Sequence, residues 1–301
     1  MQLKWPFLSS LCIALTILPE LATALPRPTS PYHSAQEGLP GNSELTGNIV
    51  PVVVFGKDSR RTIEDFAAEQ KTDATALKRS FAASGLIECG VAHGAGQLTL
   101  ATNVVTTAAH VFYDERGKLR ANTCNFTIEV EGKKVSVPVD LKSIVAGSTN
   151  PYAIAAVHDW AVAKLTQPVE NVTPYLLADS PAPNKPIAFV ARGHIDWGEG
   201  RRLSMQKCQL RDQLSAGEEG TREFAFDCDT GDGASGGAVM MSEANQQKIG
   251  AILVGWRSNR PFKAVPFSPT HYNFAVTIEG AFKKAVVAAA TKVMVSKQPQ
   301  N

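Results

Sequence analysis

Cys228-Asp229-Thr230-Gly231-Asp232-Gly233-Ala234-Ser235-Gly236-Gly237-Ala238-Val239 is the stretch on which the reading of this chain turns. A serine hydroxyl is a poor nucleophile, so a protein that uses one must hold it still, supply a base and aim donors at the charge that develops. Glycines on both sides of Ser235 suit that task, because Gly233 can take a backbone conformation closed to other residues and Gly236-Gly237 leave room as the chain turns into a strand. The turn would direct the amides of Gly233 and Ser235 at one point. Glycine and serine are also common loop material, so the pattern acquires meaning only from companions elsewhere.

Two companions lie upstream. Thr106-Thr107-Ala108-Ala109-His110 follows a β-rich run, and His158-Asp159-Trp160-Ala161-Val162-Ala163-Lys164-Leu165 opens a second alternating segment. A histidine at a strand end is by itself more often structural than catalytic, and an aspartate at a strand start is commonly a turn former. The chain order His110, Asp159, Ser235 is nevertheless one of the known serine-histidine-acid orders, distinct from Asp-His-Ser and from Ser-acid-His. With the motifs Thr-Ala-Ala-His, an Asp opening a strand and Gly-x-Ser-Gly-Gly, the chain resembles the trypsin/chymotrypsin superfamily, and most closely the secreted bacterial branch that includes the glutamyl endopeptidases. Gly56-Lys57-Asp58-Ser59-Arg60-Arg61 is similar to the Asp-x-Arg segment near the mature start of that branch. The resemblance spans residues 52–280.

It implies an all-β protein of two antiparallel six-stranded barrels with a C-terminal helix. It also implies a serine endopeptidase in which Ser235 is the nucleophile, His110 the base, Asp159 its orienting acid, and the amides of Gly233 and Ser235 the oxyanion hole. No metal or other cofactor is expected, and the partners are polypeptide substrates. One departure stands out. In trypsin an aspartate precedes the nucleophile and pairs with the new N-terminus after activation, whereas Ala234 occupies that place here.

The pattern of strands agrees with barrels. Residues 86–89, 97–100, 104–107, 126–130, 134–139 and 159–165 alternate or run β-branched between Gly, Asn and Asp turns, and a second set follows at 186–191, 203–210, 224–228, 238–241, 249–254 and 272–278. Residues 49–55 read as an edge strand because of Pro51. Residues 62–83 read as one solvated surface helix, started by Thr62 and Asp65 and stopped by Gly85. Residues 280–295 read as a closing helix with Phe282, Val286, Ala289 and Val293 on one face. The expected division is a signal peptide at 1–24, a leader or propeptide at 25–51, a barrel carrying His and Asp at 52–172, a barrel carrying Ser at 173–279, and a helix and tail at 280–301.

The first 24 residues combine Lys4, an apolar run at 7–18 and the small-x-small site Ala22-Thr23-Ala24. The chain is therefore expected to be exported, to the periplasm or beyond, with no membrane partner. The 301 residues are 44% hydrophobic and 19% charged with a formal net charge of +2, which argues against an electrostatic nucleic-acid binder. A monomer is expected. Of five cysteines, Cys12 lies in the signal. The remaining four permit three pairings, of which Cys89 with Cys124 and Cys208 with Cys228 are favoured, since the first pair brackets His110 and the second ends just before the serine loop. His93, His158, His194 and His271 lack the company of a triad and read as ordinary polar residues.

Specificity is open on sequence. Asp229 lies where trypsin-like enzymes keep the acid that attracts Arg or Lys. Asp229-Thr230 is also similar to glutamyl endopeptidases, which read an acidic side chain with a later histidine, but Ile252 stands near that position. The substrate pocket expected from Asp229, Thr230 and Ile252 is thus basic-selective, acid-selective, or apolar with Asp229 turned away. Two other classes of function share the same motifs: a protease-like module that only binds, and an esterase.

Overall fold

The computed structural model describes residues 52–197, 202–243, 246–260 and 263–295. The expected signal peptide and the whole of the expected leader, Pro51 included, lie outside the described residues. Two closed barrels of six antiparallel strands form the molecule, as the resemblance implies.

In the first barrel the order is β2 (Ser84–Cys89), β3 (Ala92–Leu98), β4 (Val104–Thr107), β7 (Ala161–Leu165), β6 (Lys133–Ala146) and β5 (Cys124–Val130), closing back on β2. Alternation places Ile87, Leu98, Val105, Phe126, Ile128 and Val162 in its core. Residues 92–96 look unlike a strand in sequence, being Ala-His-Gly-Ala-Gly, yet they pair with β2 along their whole length. Side chains are missing there because neighbours fill the space. A Cβ on Gly96 would stand 2.7 Å from Ile87 Cδ1.

In the second barrel β10 (Arg222–Phe226), β14 (His271–Thr277), β13 (Gln246–Ser258), β12 (Ala238–Glu243), β8 (Pro186–Ala191) and β9 (Ser204–Ala216) close in that order. Phe189, Phe224, Phe226 and Leu253 pack its interior. β6, β9 and β13 run 13 or 14 residues, longer than the apolar pattern alone suggests. Their extra residues are mostly exposed or half-buried, and the ladder hydrogen bonds carry the strands past the apolar pattern.

The edge strand expected at 49–55 is represented among the described residues by β1 (Val52–Val53), which pairs with β11 (Thr230–Gly231). The single helix expected over 62–83 is two: α1 (Ile63–Gln70) and α2 (Ala74–Ser80). Lys71 turns left-handed at φ 52° and closes α1, and the Asp73 carboxylate then caps α2 by accepting from Thr75 N at 2.8 Å. The closing helix α3 (Gly280–Val295) buries Phe282, Val286 and Ala290. It returns to the first barrel, where Phe282 stacks on Trp160 with ring centroids 4.8 Å apart.

Both disulfides pair as favoured. Cys89 and Cys124 face each other across β2 and β5, and Cys208 of β9 meets Cys228 after β10. By restricting the unfolded chain, each is expected to contribute about 3 kcal/mol. None of the described helices is long and apolar enough to cross a membrane.

Candidate active site

His110 sits in a single helical turn, Ala109–Val111, at the end of β4. Asp159 follows another such turn, Ala156–His158, just before β7. Because β4 and β7 are paired neighbours, these two ends come together. The Asp159 carboxylate is 1% exposed and accepts twice from the same residue, from His110 Nδ1 at 2.7 Å and from His110 N at 2.9 Å. One bond orients the ring and the other ties its backbone to the acid. The Nδ1 bond fixes which edge of the ring faces Asp159.

Two residues not expected from the sequence support this histidine. Arg120 donates through Nε to the His110 carbonyl at 2.9 Å and through Nη2 to the Tyr152 hydroxyl at 2.6 Å. The Tyr152 ring stands edge-on to the imidazole, with centroids 6.0 Å apart. Burial drives the Tyr152 hydroxyl up to about 12, so it remains a neutral prop. No local sequence signal marks either residue, since both come from loops.

Ser235 lies between β11 and β12 in the other barrel and is partly exposed, as is Gly233. Two close approaches bring its loop to the His110 turn. A Cβ on Gly94 would stand 2.9 Å from the Ser235 carbonyl oxygen and 2.5 Å from Val111, the residue after His110. Gly236, at φ +86°, packs so tightly on the Ala95 carbonyl and the Thr107 hydroxyl that any side chain would collide with both. The Gly236 amide donates to Leu253 O at 2.7 Å, and the Ala234 amide to Gly231 O at 3.2 Å. Gly233 itself turns at φ +88°, a conformation open to glycine.

The residues expected to form a specificity pocket are engaged elsewhere. Asp229 is 1% exposed, and its carboxylate accepts from Phe55 N at 2.7 Å, Ser59 N at 2.6 Å and Ser59 Oγ at 2.5 Å. Burial raises its pKa, while those three donors pull it down. Of the arrangements expected for Asp229, this geometry is the one in which it is turned away from substrate: it anchors the segment that precedes the first barrel. Thr230 donates its hydroxyl to Asn273 Oδ1 at 2.8 Å inside the protein. Ile252 is fully buried in the core.

Asp232, by contrast, is half-buried in the serine loop three residues before Ser235, and its carboxylate accepts from the Trp256 indole. Burial raises its pKa against that bond, and nearby Asp196 raises it further. Its place in the loop was the available signal.

The other histidines among the described residues are held by neighbouring groups. His93 Nε2 lies 2.9 Å from Gly193 O, His271 Nδ1 lies 2.6 Å from Ser258 Oγ, and His194 is fully buried. His158 is in a turn rather than a strand and faces Glu219 at 3.6 Å, turned to a partner other than Ser235.

The two-barrel architecture has a counterpart among solved structures. A solved glutamyl endopeptidase, crystallised with MPD, aligns with a TM-score of 0.57 at 17% identity, covering 79% of this chain and 100% of that one. A thermostable serine protease, AL20, from an extremophilic microorganism aligns with a TM-score of 0.48 at 14% identity, over 70% of this chain and 97% of its own. No curated protein matches the chain. The family model described as Trypsin matches residues 71–274, a run from α2 into β14 that includes His110, Asp159 and Ser235, and the chain therefore belongs to the trypsin family.

Proposed function

We propose that the protein is an exported serine endopeptidase that acts as a monomer on polypeptides through His110, Asp159 and Ser235. The observation that carries this reading is the double bond pattern of Asp159 to His110, made beside a loop whose glycines bring Ser235 against the same turn.

In this mechanism the Ser235 hydroxyl oxygen attacks the peptide carbonyl carbon as its proton passes to His110 Nε2. The amides of Gly233 and Ser235 bind the resulting oxyanion. The tetrahedral species collapses with cleavage of the carbon–nitrogen bond, and the proton on Nε2 goes to the departing amine. Water then attacks the acyl-enzyme ester, giving its proton to Nε2, and that proton returns to Ser235 as the acid leaves. Asp159 stays ionised throughout and stabilises the imidazolium.

Two supports favour export: the apolar N-terminal run with its small-residue site, and two disulfides of the kind that persist in oxidising compartments. Maturation removes part of residues 25–53. A start at Val52 keeps the β1–β11 pairing, and a start beyond Val53 loses it. N-terminal sequencing of secreted material checks this, and full activity in a chain that begins at Leu25 would overturn the need for a propeptide.

The central test is Ser235→Ala together with fluorophosphonate labelling. The substitution abolishes turnover of a peptide library while the melting temperature stays within about 2 °C, and the label reacts with the native protein at Ser235. An active alanine variant, or a native protein that resists the label, would sink the peptidase reading. The latter result would favour a protein that only binds. The library also reports the preferred side chain before the scissile bond.

A further inference from the structure

Ala234 cannot form the ion pair that orders the serine loop in trypsin, so this loop must be tied in another way. Residues 193–196, following β8, supply the tie. His194 Nδ1 accepts from the Gly231 amide at 3.2 Å, and the Ile195 amide donates to Asp232 O at 2.9 Å. The Gly193 carbonyl lies against Gly233 so closely that a Cβ there would collide with it. In a trans peptide the C=O and the following N–H point in opposite directions. Holding Asp232 O toward Ile195 therefore turns the Gly233 N–H the other way, and Gly233 N–H is one of the two proposed oxyanion donors.

What holds residues 193–196 comes from 136 positions away in the chain. Arg60 grips Asp196 with both terminal nitrogens, Nη1 to Oδ1 at 3.0 Å and Nη2 to Oδ2 at 2.7 Å, and Nη2 also reaches Asp58 at 2.8 Å. Such a two-point pair fixes direction as well as distance. Arg60 Nη1 lies 3.3 Å from His194 Nδ1. Since Gly231 N–H and the guanidinium are donors only, His194 Nδ1 must be the acceptor and the ring neutral. Burial, reinforced by the charge of Arg60, pushes His194 down to about 3, in keeping with that state. The Arg60 side chain is 3% exposed. Its own backbone segment is pinned by Asp229 and by the reciprocal Arg61–Met205 bridge, with both hydrogen bonds at 2.9 Å.

We propose that Arg60 is a positioning residue for the oxyanion hole, fixing residues 194–196 through Asp196 so that the Gly231–Gly233 backbone presents its donor to the substrate. This rests on the peptidase reading above. Docking of the segment that begins near Val52 thereby becomes a condition for an ordered site, and the Asp-x-Arg motif is the latch.

The test compares Arg60→Met, Arg60→Lys, Asp196→Leu and the Arg60→Met/Asp196→Leu double variant in the mature enzyme. The measurements are kcat and KM on a peptide amide, affinity for a peptidyl aldehyde that forms a tetrahedral adduct at Ser235, and thermal unfolding. Arg60→Met is expected to lower kcat about 100-fold, the scale of one oxyanion donor, with KM changed less than about threefold. Aldehyde affinity falls in step with kcat, Arg60→Lys recovers part of the loss, and the double variant is no worse than either single one. A folded Arg60→Met that keeps kcat within about threefold, or loses activity through KM alone, would overturn the proposal. If Arg60→Met fails to fold, Arg60→Lys and Asp196→Leu carry the same comparison, and full kcat in both overturns it equally. Ser235→Ala separates the two levels. If it is inactive while the Arg60 variants are fully active, the positioning role fails and the peptidase reading stands; if it remains active, the peptidase reading itself fails.

Discussion

The two barrels hold their shares of the site in different ways. In the first, His110 and Asp159 stand on paired neighbouring strands, and their mutual bonds span 49 residues of chain within one buried unit. In the second, the serine loop is held by close glycine contacts across the barrel interface and by a segment about 170 residues upstream in the chain. The half that holds His110 and Asp159 is therefore built into its own barrel, whereas the half that holds Ser235 depends on parts brought from elsewhere. Substitutions in the first half should damage chemistry and leave the fold alone. Substitutions of the contacts that hold the second, as distinct from Ser235 itself, should move stability and chemistry together.

The largest effect that would break this contrast is at Asp159. Asp159→Asn leaves the acceptor geometry nearly intact but favours the wrong tautomer of His110, so kcat is expected to fall about 10⁴-fold with little change in melting temperature; a large loss of stability instead would show that the first half is no more self-contained than the second. Gly236→Ala comes next. Its φ of +86° and its contact with the Ala95 carbonyl leave no room for a methyl group, and denaturant unfolding should show a loss of about 3 kcal/mol or more along with lost activity. Asp229→Ala strips three donors of a buried acceptor. A cost of about 2–3 kcal/mol is expected, together with faster proteolysis near residues 52–60 that Asp159→Asn does not cause.

A pH titration sharpens the comparison further. Above 6.5 His194 is neutral in both folded and unfolded chains; below it the unfolded chain takes up a proton that the buried ring refuses until about 3. The unfolded state binds more protons in that window, so stability falls as pH drops from 6.5 toward 3. His194→Asn, whose amide oxygen can still accept from Gly231 N, should flatten that decline by about one proton's worth of slope. An unchanged slope would mean that His194 titrates normally. The smallest effect belongs to the first barrel again. Tyr152→Phe removes one hydrogen bond to Arg120, and kcat should change less than about threefold.

Much of the candidate site was legible in the sequence. His110, Asp159 and Ser235 each sit in a short motif whose residue types report a local constraint, and their order along the chain selected the two-barrel fold. The disulfides were narrowed by their spacing around His110 and Ser235. Residues 92–96 were not legible as strand, because a segment built of Gly, Ala and His carries no alternating apolar signal and its pairing is imposed by neighbours. The split of the surface helix at Lys71–Asp73 was missed because two caps in succession read as one polar helix. Arg120 and Tyr152 had no signal either, since a loop residue's partner is set by where the loop lands.

Asp229 gives the sharpest lesson. Its position relative to Ser235 suggested a specificity role, yet a carboxylate points wherever donors are available, and here they are the amides of Phe55 and Ser59. What the amino-acid sequence determined by itself was local: which residues can turn, alternate, cap or act as nucleophile and base, because those properties reside in single side chains and their immediate neighbours. What the tertiary structure alone decided was which distant groups share a buried space. Inside the protein a buried carboxylate, guanidinium or imidazole is oriented by the partners within reach, and for Asp229, Arg60 and His194 those partners include groups more than 130 residues away along the chain.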